Sequence, residues 1–276
     1  MSVREVCFLV AALLPLSMQA QSQPQRDECD LRTPGVCVRH VLQDEGAILT
    51  SPLHARASDL LWIAPFGLAT GFAIDYDAHA IRSLGSHPQR ENDFHHVSDI
   101  GVYTPIGGMV VGYAAGALRH DDYLKQTAVI AGEAMADSVI LNEGLKYAID
   151  RETPSQGDGT GRFWPHGPKT WPDGQSMPSN HSIIVWSAAH VVANRYPGWA
   201  TRLAAYGLAT TVSVSRVMAK QHFPSDVLVG STLGYLIGGY VVHKRGEPSR
   251  SYSFSMVDTP NGRGVQLSYN FGHSGN

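Results

Sequence analysis

From Phe223 to Val242 the chain is apolar apart from Asp226 and a few hydroxyl residues, and Gly230, Gly234 and Gly238 recur at every fourth position. Pro224 suits the first turn of a helix, where its missing N–H would have no partner in any case. Glycine at every fourth residue leaves one helix face without side chains, so a second helix can approach closely. In a membrane that spacing suits helix dimerisation; in a helical bundle it allows close intramolecular packing, which is the reading adopted. The residues just ahead, Ser215-Arg216-Val217-Met218-Ala219-Lys220-Gln221-His222, then stand at a helix N-terminus. Free backbone N–H groups and the positive end of the helix dipole favour an anion such as phosphate there. Asp226 follows His222 by about one turn. It is placed to accept a hydrogen bond from one imidazole nitrogen and leave the other free to attack. Arg216 adds a planar, permanent cation for a tetrahedral oxyanion. The plainer reading makes Asp226 a helix cap and His222 a loop residue.

Two further stretches bear on that choice. Pro178-Ser179-Asn180-His181-Ser182 precedes the apolar Ile183-Ile184-Val185-Trp186 and reads as another helix start, with Ser179 as N-cap. It sets a second histidine beside a second group of free N–H donors. Lys146 lies near the end of a long helical pattern, followed by Arg151 and Pro154. On its own, Lys146 would only complement the negative end of the helix dipole.

Taken together, the three segments resemble the signature of the type 2 phosphatidic acid phosphatase (PAP2) superfamily, which includes bacterial acid phosphatases, lipid phosphatases and vanadium haloperoxidases. The resemblance runs from about Leu145 to Val242. Its third motif is complete in Ser215, Arg216, His222 and Asp226. Its second has Asn180 where glycine is usual. Its first keeps Lys146 and Pro154 but has Thr153 at the arginine position, and Arg151 is the nearest candidate to replace that cation. The resemblance implies an all-α fold, a helical bundle of about six helices. It also implies roles: His222 as nucleophile, Asp226 as its orienting carboxylate and His181 as general acid. Lys146, Arg216, Ser179, Asn180 and Arg151 would bind phosphate. No metal or cofactor is implied for phosphatase chemistry; vanadate belongs to the haloperoxidase alternative.

Residues 1–20 read as a secretory signal peptide, with Arg4, an apolar core from Cys7 to Leu14 and a small-residue end at Ala20. A periplasmic or secreted location follows. Cys29 and Cys37 are then an even pair in an exported chain and read as a disulfide. Residues 21–57 read as an irregular N-terminal arm, 58–244 as the helical domain, and 245–276 as a C-terminal tail. In that tail two alternating runs flank Asn261-Gly262 and read as a β-hairpin.

Within the domain, Asp59–Ile74 is expected to be helical. Asp75, Asp77 and His79 read as an acidic surface loop rather than a metal site, and His95-His96 as part of a solvated connection over 82–96. Val97–Leu118 is an apolar segment. Asp121–Ile149 is the clearest helix, with Ile130, Ala134, Met135, Ser138, Leu141 and Leu145 on one face. Arg151–Met177 is a long Gly-, Pro- and Trp-containing loop of the kind that often borders a site; it carries Arg162, His166 and Lys169, and Trp164 and Trp171 are expected to pack it onto the core. Asn180-His181-Ser182 also matches a glycosylation sequon, discounted because those residues belong to the second motif. Asp137, Glu143, Lys146, Arg202 and Arg216 interrupt the apolar stretches, so the domain is expected to be soluble or in peripheral membrane contact.

A net charge of -3 gives no basic field for nucleic acid. The expected partner is a phosphorylated small-molecule or lipid substrate, with the oligomeric state open. Besides the phosphatase and haloperoxidase readings, a third makes the chain a non-catalytic relative that binds phosphate or lipid.

Overall fold

The computed structural model describes residues 29–167 and 176–245, with the backbone of 252–259 and 262–269. The signal-peptide reading and the expectations for Lys169 and Trp171 lie outside the described residues. Seven α-helices make up the described bundle: α1 Pro34–Thr50, α2 Leu60–Ser83, α3 Pro88–Arg119, α4 Asp122–Ile149, α5 Asn180–Arg195, α6 Trp199–Met218 and α7 Pro224–Arg245. Beyond them the backbone of Tyr252–Thr259 runs antiparallel to Gly262–Tyr269.

Helix α5 is the central element. Ile183, Val185, Ala188, Ala189, Val191 and Ala193 are all buried, so its apolar residues point in every direction. On one side Ile183 and Val191 pack with Ile130, Ala134 and Leu141 of α4 and Ile237 and Val241 of α7. On the other side Val185 and Ala189 pack with Val102 of α3 and Ala209 and Val212 of α6. The glycines of α7 lie against the α5 backbone. A Cβ at Gly230 would stand 2.8 Å from the Ser179 carbonyl oxygen, and one at Gly234 or Gly238 would run into the carbonyls of Ile183 or Ser187. The four-residue glycine spacing therefore serves an intramolecular contact, and it holds two helix starts side by side.

Residues 34–50 correct the expectation of an irregular arm. Pro34 opens α1 at its first turn. The buried residues of α1 are Asp44 and Glu45, while Ile48 packs partly buried against the core. Asp44 accepts from Lys244 at 2.7 Å and also pairs with Arg245, while His40 lies 2.8 Å from Glu133. Val38, Val41 and Leu42 do fall at i, i+3 and i+4 along α1 and line one apolar cavity with Met109 and Ile140, a short helical period among polar neighbours. The Cys29–Cys37 disulfide is formed and ties the start of α1 to the segment before it.

The termini alternate along the bundle. The C-terminal ends of α2, α4 and α6 and the N-terminal ends of α3, α5 and α7 share one end. At that end Asp77 meets Ser225, Asn142 meets Asn180, and Ser98 meets Arg216.

Away from it, α2 and α3 leave large apolar side chains uncovered: Leu61 is 82% exposed, Phe72 75% and Leu118 81%. Apolar area of this kind costs about 25 cal/mol per Å² in water, and monomeric soluble proteins rarely expose it contiguously. Among the described residues, three helical segments, Ala57–Ser83, Pro88–Arg119 and Pro224–Arg245, are long and apolar enough to cross a membrane. This revises the expectation of a soluble or peripheral domain. The charges of these helices sit near their ends, at Asp75, Asp77 and Arg82 in α2 and at Arg90, Glu91, Asp93 and Asp99 in α3, so the apolar windows between them remain long.

Candidate active site

The site is built where α5 and α7 begin. The two starts are tied together because the Ser179 N–H donates to the Asp226 carbonyl at 3.1 Å. Asp226 is fully buried. Its Oδ2 accepts from the Phe223 N–H at 2.8 Å and from the Ser176 hydroxyl at 2.5 Å, and its Oδ1 accepts from Arg151 at 2.7 Å. The carboxylate thus caps α7 and also anchors the loop that leads into α5.

His222 is buried just ahead of α7. Its Nδ1 lies 2.8 Å from the Ser176 carbonyl oxygen and 3.7 Å from Asp226 Oδ2. A carbonyl can only accept, so Nδ1 carries the proton and Nε2 keeps the lone pair. The sequence alone points to Asp226 as the direct acceptor of that hydrogen bond. Instead Ser176 stands between them: its carbonyl holds the imidazole and its hydroxyl holds Asp226. Burial, followed by the charges of Arg216 and Lys146, lowers the His222 pKa against the opposing pull of Asp226. The ring is therefore neutral, with Nε2 free to act as a nucleophile.

His181 stands in the first turn of α5, and its Nε2 lies 3.1 Å from Asp99 Oδ1 on α3. Its pKa is lowered to about 4, by burial first and then by Arg216, while the hydrogen bond to Asp99 works in the other direction. Both imidazoles feel Arg216, and His181 also feels His222. The two histidines and the arginine therefore share one electrostatic environment.

Three donors remain to receive an anion. The Ser179 hydroxyl and Arg216 Nε are buried with no hydrogen-bond partner among the described residues. Lys146 Nζ has Glu143 at 3.7 Å, a long ion pair, and burial lowers its pKa. Arg216 Nη1 is oriented by the Ser98 hydroxyl at 3.2 Å. A buried donor left unpaired costs about 1–3 kcal/mol, so this corner of the bundle is short of acceptors in a way that a phosphate would relieve. Asn180, at the usual glycine position, accepts from Asn142 at 2.7 Å and donates to Glu143 at 2.8 Å. Its side chain joins α5 to α4.

Arg151 departs from the expected phosphate-binding role. Its guanidinium is buried, with Nη1 donating to Ser225 and Asp226, Nη2 to Asp77 and Nε to the Gly161 carbonyl. The rings of Phe163 and Phe223 lie 4.9 and 4.4 Å from its central carbon. With its donors taken by carboxylates and its faces covered by rings, it supports Asp226 from behind. Thr153 makes only turn contacts among its described hydrogen bonds, to Gln156 and Ser155, and Arg162 is held by Glu152 at 2.9 Å.

Several contributors are not marked as site residues by the sequence. Asp77, expected on a surface loop, lies on α2. Successive helical residues turn by about 100°, so Asp75 and His79 face solvent while Asp77 is buried against Arg151 and Ser225. His95, expected in a solvated connection, is on α3 with Nδ1 3.4 Å from Arg216. Ser98 and Asp99 sit inside an apolar segment, and a carboxylate in such a segment is the one signal that could have found them. Ser176 has none, because its role depends on chain-distant contacts.

Residues 127–249 match the family model described as the PAP2 superfamily. No curated protein matches the chain. Among solved structures the chain is similar to the crystal structure of Aquifex aeolicus LpxE, at 18% identity over 60% of this chain and 94% of that one, with a TM-score of 0.45. It is also similar to that of a transmembrane PAP2 type phosphatidylglycerolphosphate phosphatase from Bacillus subtilis, at 20% identity over 78% of this chain and 96% of that one, with a TM-score of 0.44. The matched segment, a little under half of the chain, carries Lys146, His181, Arg216, His222 and Asp226, and over it the chain is similar to the PAP2 superfamily.

Proposed function

We propose that this protein is a membrane-embedded phosphatase that hydrolyses a phosphorylated lipid through a phosphohistidine on His222. The observation that carries the reading is the Nδ1–H of His222 held by the Ser176 carbonyl. It leaves the Nε2 lone pair at a helix N-terminus, beside donors that lack partners among the described residues.

The Nε2 lone pair forms the new P–N bond as the P–O bond to the leaving group breaks, and His181 gives a proton to the departing oxygen. In the second half, His181 takes a proton from water, the water oxygen bonds to phosphorus, and the P–N bond breaks to release phosphate and restore His222. Lys146, Arg216, the Ser179 hydroxyl and N–H groups at the start of α5 would hold the non-bridging oxygens, where transition-state charge is spread. Asp226 stabilises the imidazolium character that develops on His222. Each step in this scheme is filled by a group of the chain itself.

The lipid part of the reading rests on two features. One is the uncovered apolar surface of α2 and α3. The other is an apolar cavity of about 410 Å³ between α3, α4, α5 and α6, lined by Thr104, Gly108, Ala131, Val185, Ala189 and Leu208. That volume lies within the ordinary range for ligand sites, about 300–1,000 Å³. Val185 follows His181 by one turn of α5, a rise of about 6 Å, so the cavity begins within reach of the tail of a substrate whose phosphate lies at the histidines.

Gly108 lines the cavity, and a Cβ there meets nothing within 4 Å. Gly108→Phe is therefore expected to fill the space without disturbing the helix. Turnover of a long-chain phosphatidic acid should fall roughly tenfold, equivalent to about 1.4 kcal/mol, with little change on a soluble aryl phosphate. Equal turnover of the long-chain substrate by both proteins would remove the cavity from the reading.

The whole proposal is tested by phosphate release from the purified protein in detergent with EDTA present. An aryl phosphate, phosphatidic acid and a polyprenyl pyrophosphate would be compared. Lipid substrates should turn over best. No release from any of them would contradict the phosphatase reading.

A further inference from the structure

Asp99 is a partly exposed carboxylate on α3 that touches both halves of the site. Its Oδ1 lies 3.1 Å from His181 Nε2 and 3.6 Å from Arg216 Nη1, and its Oδ2 lies 3.7 Å from His95 Nε2. An ionised carboxylate only accepts, so the proton on His181 sits on Nε2 whenever the ring is neutral. We propose that Asp99 is the positioning residue of the general acid: it fixes the Nε2–H tautomer of His181, stabilises the imidazolium, and makes Nδ1 the atom that delivers the proton.

The proposal rests on the phosphatase reading for its chemistry and adds a role that the sequence motifs do not contain. As the P–O bond breaks, the Nδ1 proton moves to the leaving oxygen, and the neutral Nε2–H ring stays on Asp99. Nδ1 then has a lone pair ready to take a proton from the attacking water, which returns the imidazolium for the next cycle. The proton count closes on His181 alone, and Asp99 stays ionised throughout.

The other charged or titratable groups around His181 set the need for such a partner. Arg216 from α6 and His222 ahead of α7 act on it directly and disfavour the imidazolium, as does burial. Glu143 from α4 accepts from its neighbour Asn180, and Lys146 pairs with that Glu143. His95 from α3 shares the Asp99 carboxylate. Asp99 opposes the first set both by its hydrogen bond and by its charge. An acid with no such partner would hold its proton too rarely to serve a substrate whose leaving alkoxide needs one.

The test exploits that need. A nitrophenolate leaves readily without a proton, whereas an alkoxide does not, so loss of general acid catalysis falls on the alkyl ester. With Asp99→Asn, kcat/KM for an alkyl phosphate should drop on the order of 10²-fold, with a much smaller loss on p-nitrophenyl phosphate. The falling high-pH limb of the alkyl profile should move to lower pH, and Asp99→Glu should recover part of the rate. Equal losses on both esters with an unmoved profile would make Asp99 merely structural, and no loss on either would make it idle; both overturn the proposal. Absence of wild-type turnover on both esters would instead contradict the phosphatase reading. The pair is then decided by an NMR titration of the His181 ring in wild type and Asp99→Asn. A downward shift of its midpoint in the variant supports the coupling, and an unchanged midpoint refutes it.

Discussion

Replacing His222 with alanine is expected to lower phosphate release by roughly 10⁴-fold or more, on every substrate alike. Losses of that order follow when the nucleophile of a covalent mechanism is removed. The expectation rests on the position of the ring. Nδ1 is held by the Ser176 carbonyl at 2.8 Å, and the ring is buried between the starts of α5 and α7. The other imidazole at a helix start, His181, has its Nε2 on Asp99 and is assigned to proton transfer instead. The variant should fold normally, because the imidazole makes one hydrogen bond to a loop carbonyl and does not carry the network behind it. Retention of a substantial rate in His222→Ala would assign the attack to water or to another side chain.

Arg151→Met is expected to act on stability. The guanidinium bridges Asp77 and Asp226 at 2.7 Å each and also holds Ser225. All three partners are fully buried. Removing the cation leaves two carboxylates facing each other without their counter-charge, and breaking a buried pair in this way costs about 3–5 kcal/mol. For a domain of this size that corresponds to a fall in Tm of about 6–20 °C, measurable by thermal unfolding in detergent. Lysine at this position should rescue little, because a single ammonium cannot bridge two carboxylates with the flat geometry that Phe163 and Phe223 enclose. An unchanged Tm with a raised KM would return Arg151 to the phosphate-binding role suggested by its place in the sequence. The two variants therefore separate the chemistry from its scaffold: His222→Ala should lose rate and keep Tm, and Arg151→Met should lose Tm.

What can be read from the sequence is set by local geometry. Lys146, His181, Arg216, His222 and Asp226 lie at helix ends, where proline, serine and a following apolar run mark the boundary, so their placement at one end of a bundle follows from elements that alternate in direction. The spacing of Gly230, Gly234 and Gly238 likewise predicts a close helix neighbour, and α5 fills that place. The partners that complete the site arrive from far along the chain. Asp77 is 148 residues from Ser225, and Asp99 is 82 from His181. Nothing in their own neighbourhoods marks them beyond a carboxylate in an apolar segment. Arg151 illustrates the same limit from the other side: its nearness in sequence to a phosphate motif says nothing about Asp77, which holds its far end. Helix α1 has only a short apolar period, Val38, Val41 and Leu42, and its charged anchors Asp44 and His40 find their partners far along the chain. The membrane-length helices are obscured by charges that cluster at the site end, where polar chemistry meets an apolar bundle.

In the proposed mechanism phosphate passes through a covalent bond to His222. Rapid acid-free quenching of the purified protein with a ³²P-labelled lipid phosphate, followed by denaturing electrophoresis, measures it directly. Wild type is expected to give a labelled protein band that is stable to alkali, labile to acid and absent in His222→Ala. Steady turnover by wild type with no labelled band at any quench time, or a band that persists in His222→Ala, would contradict it.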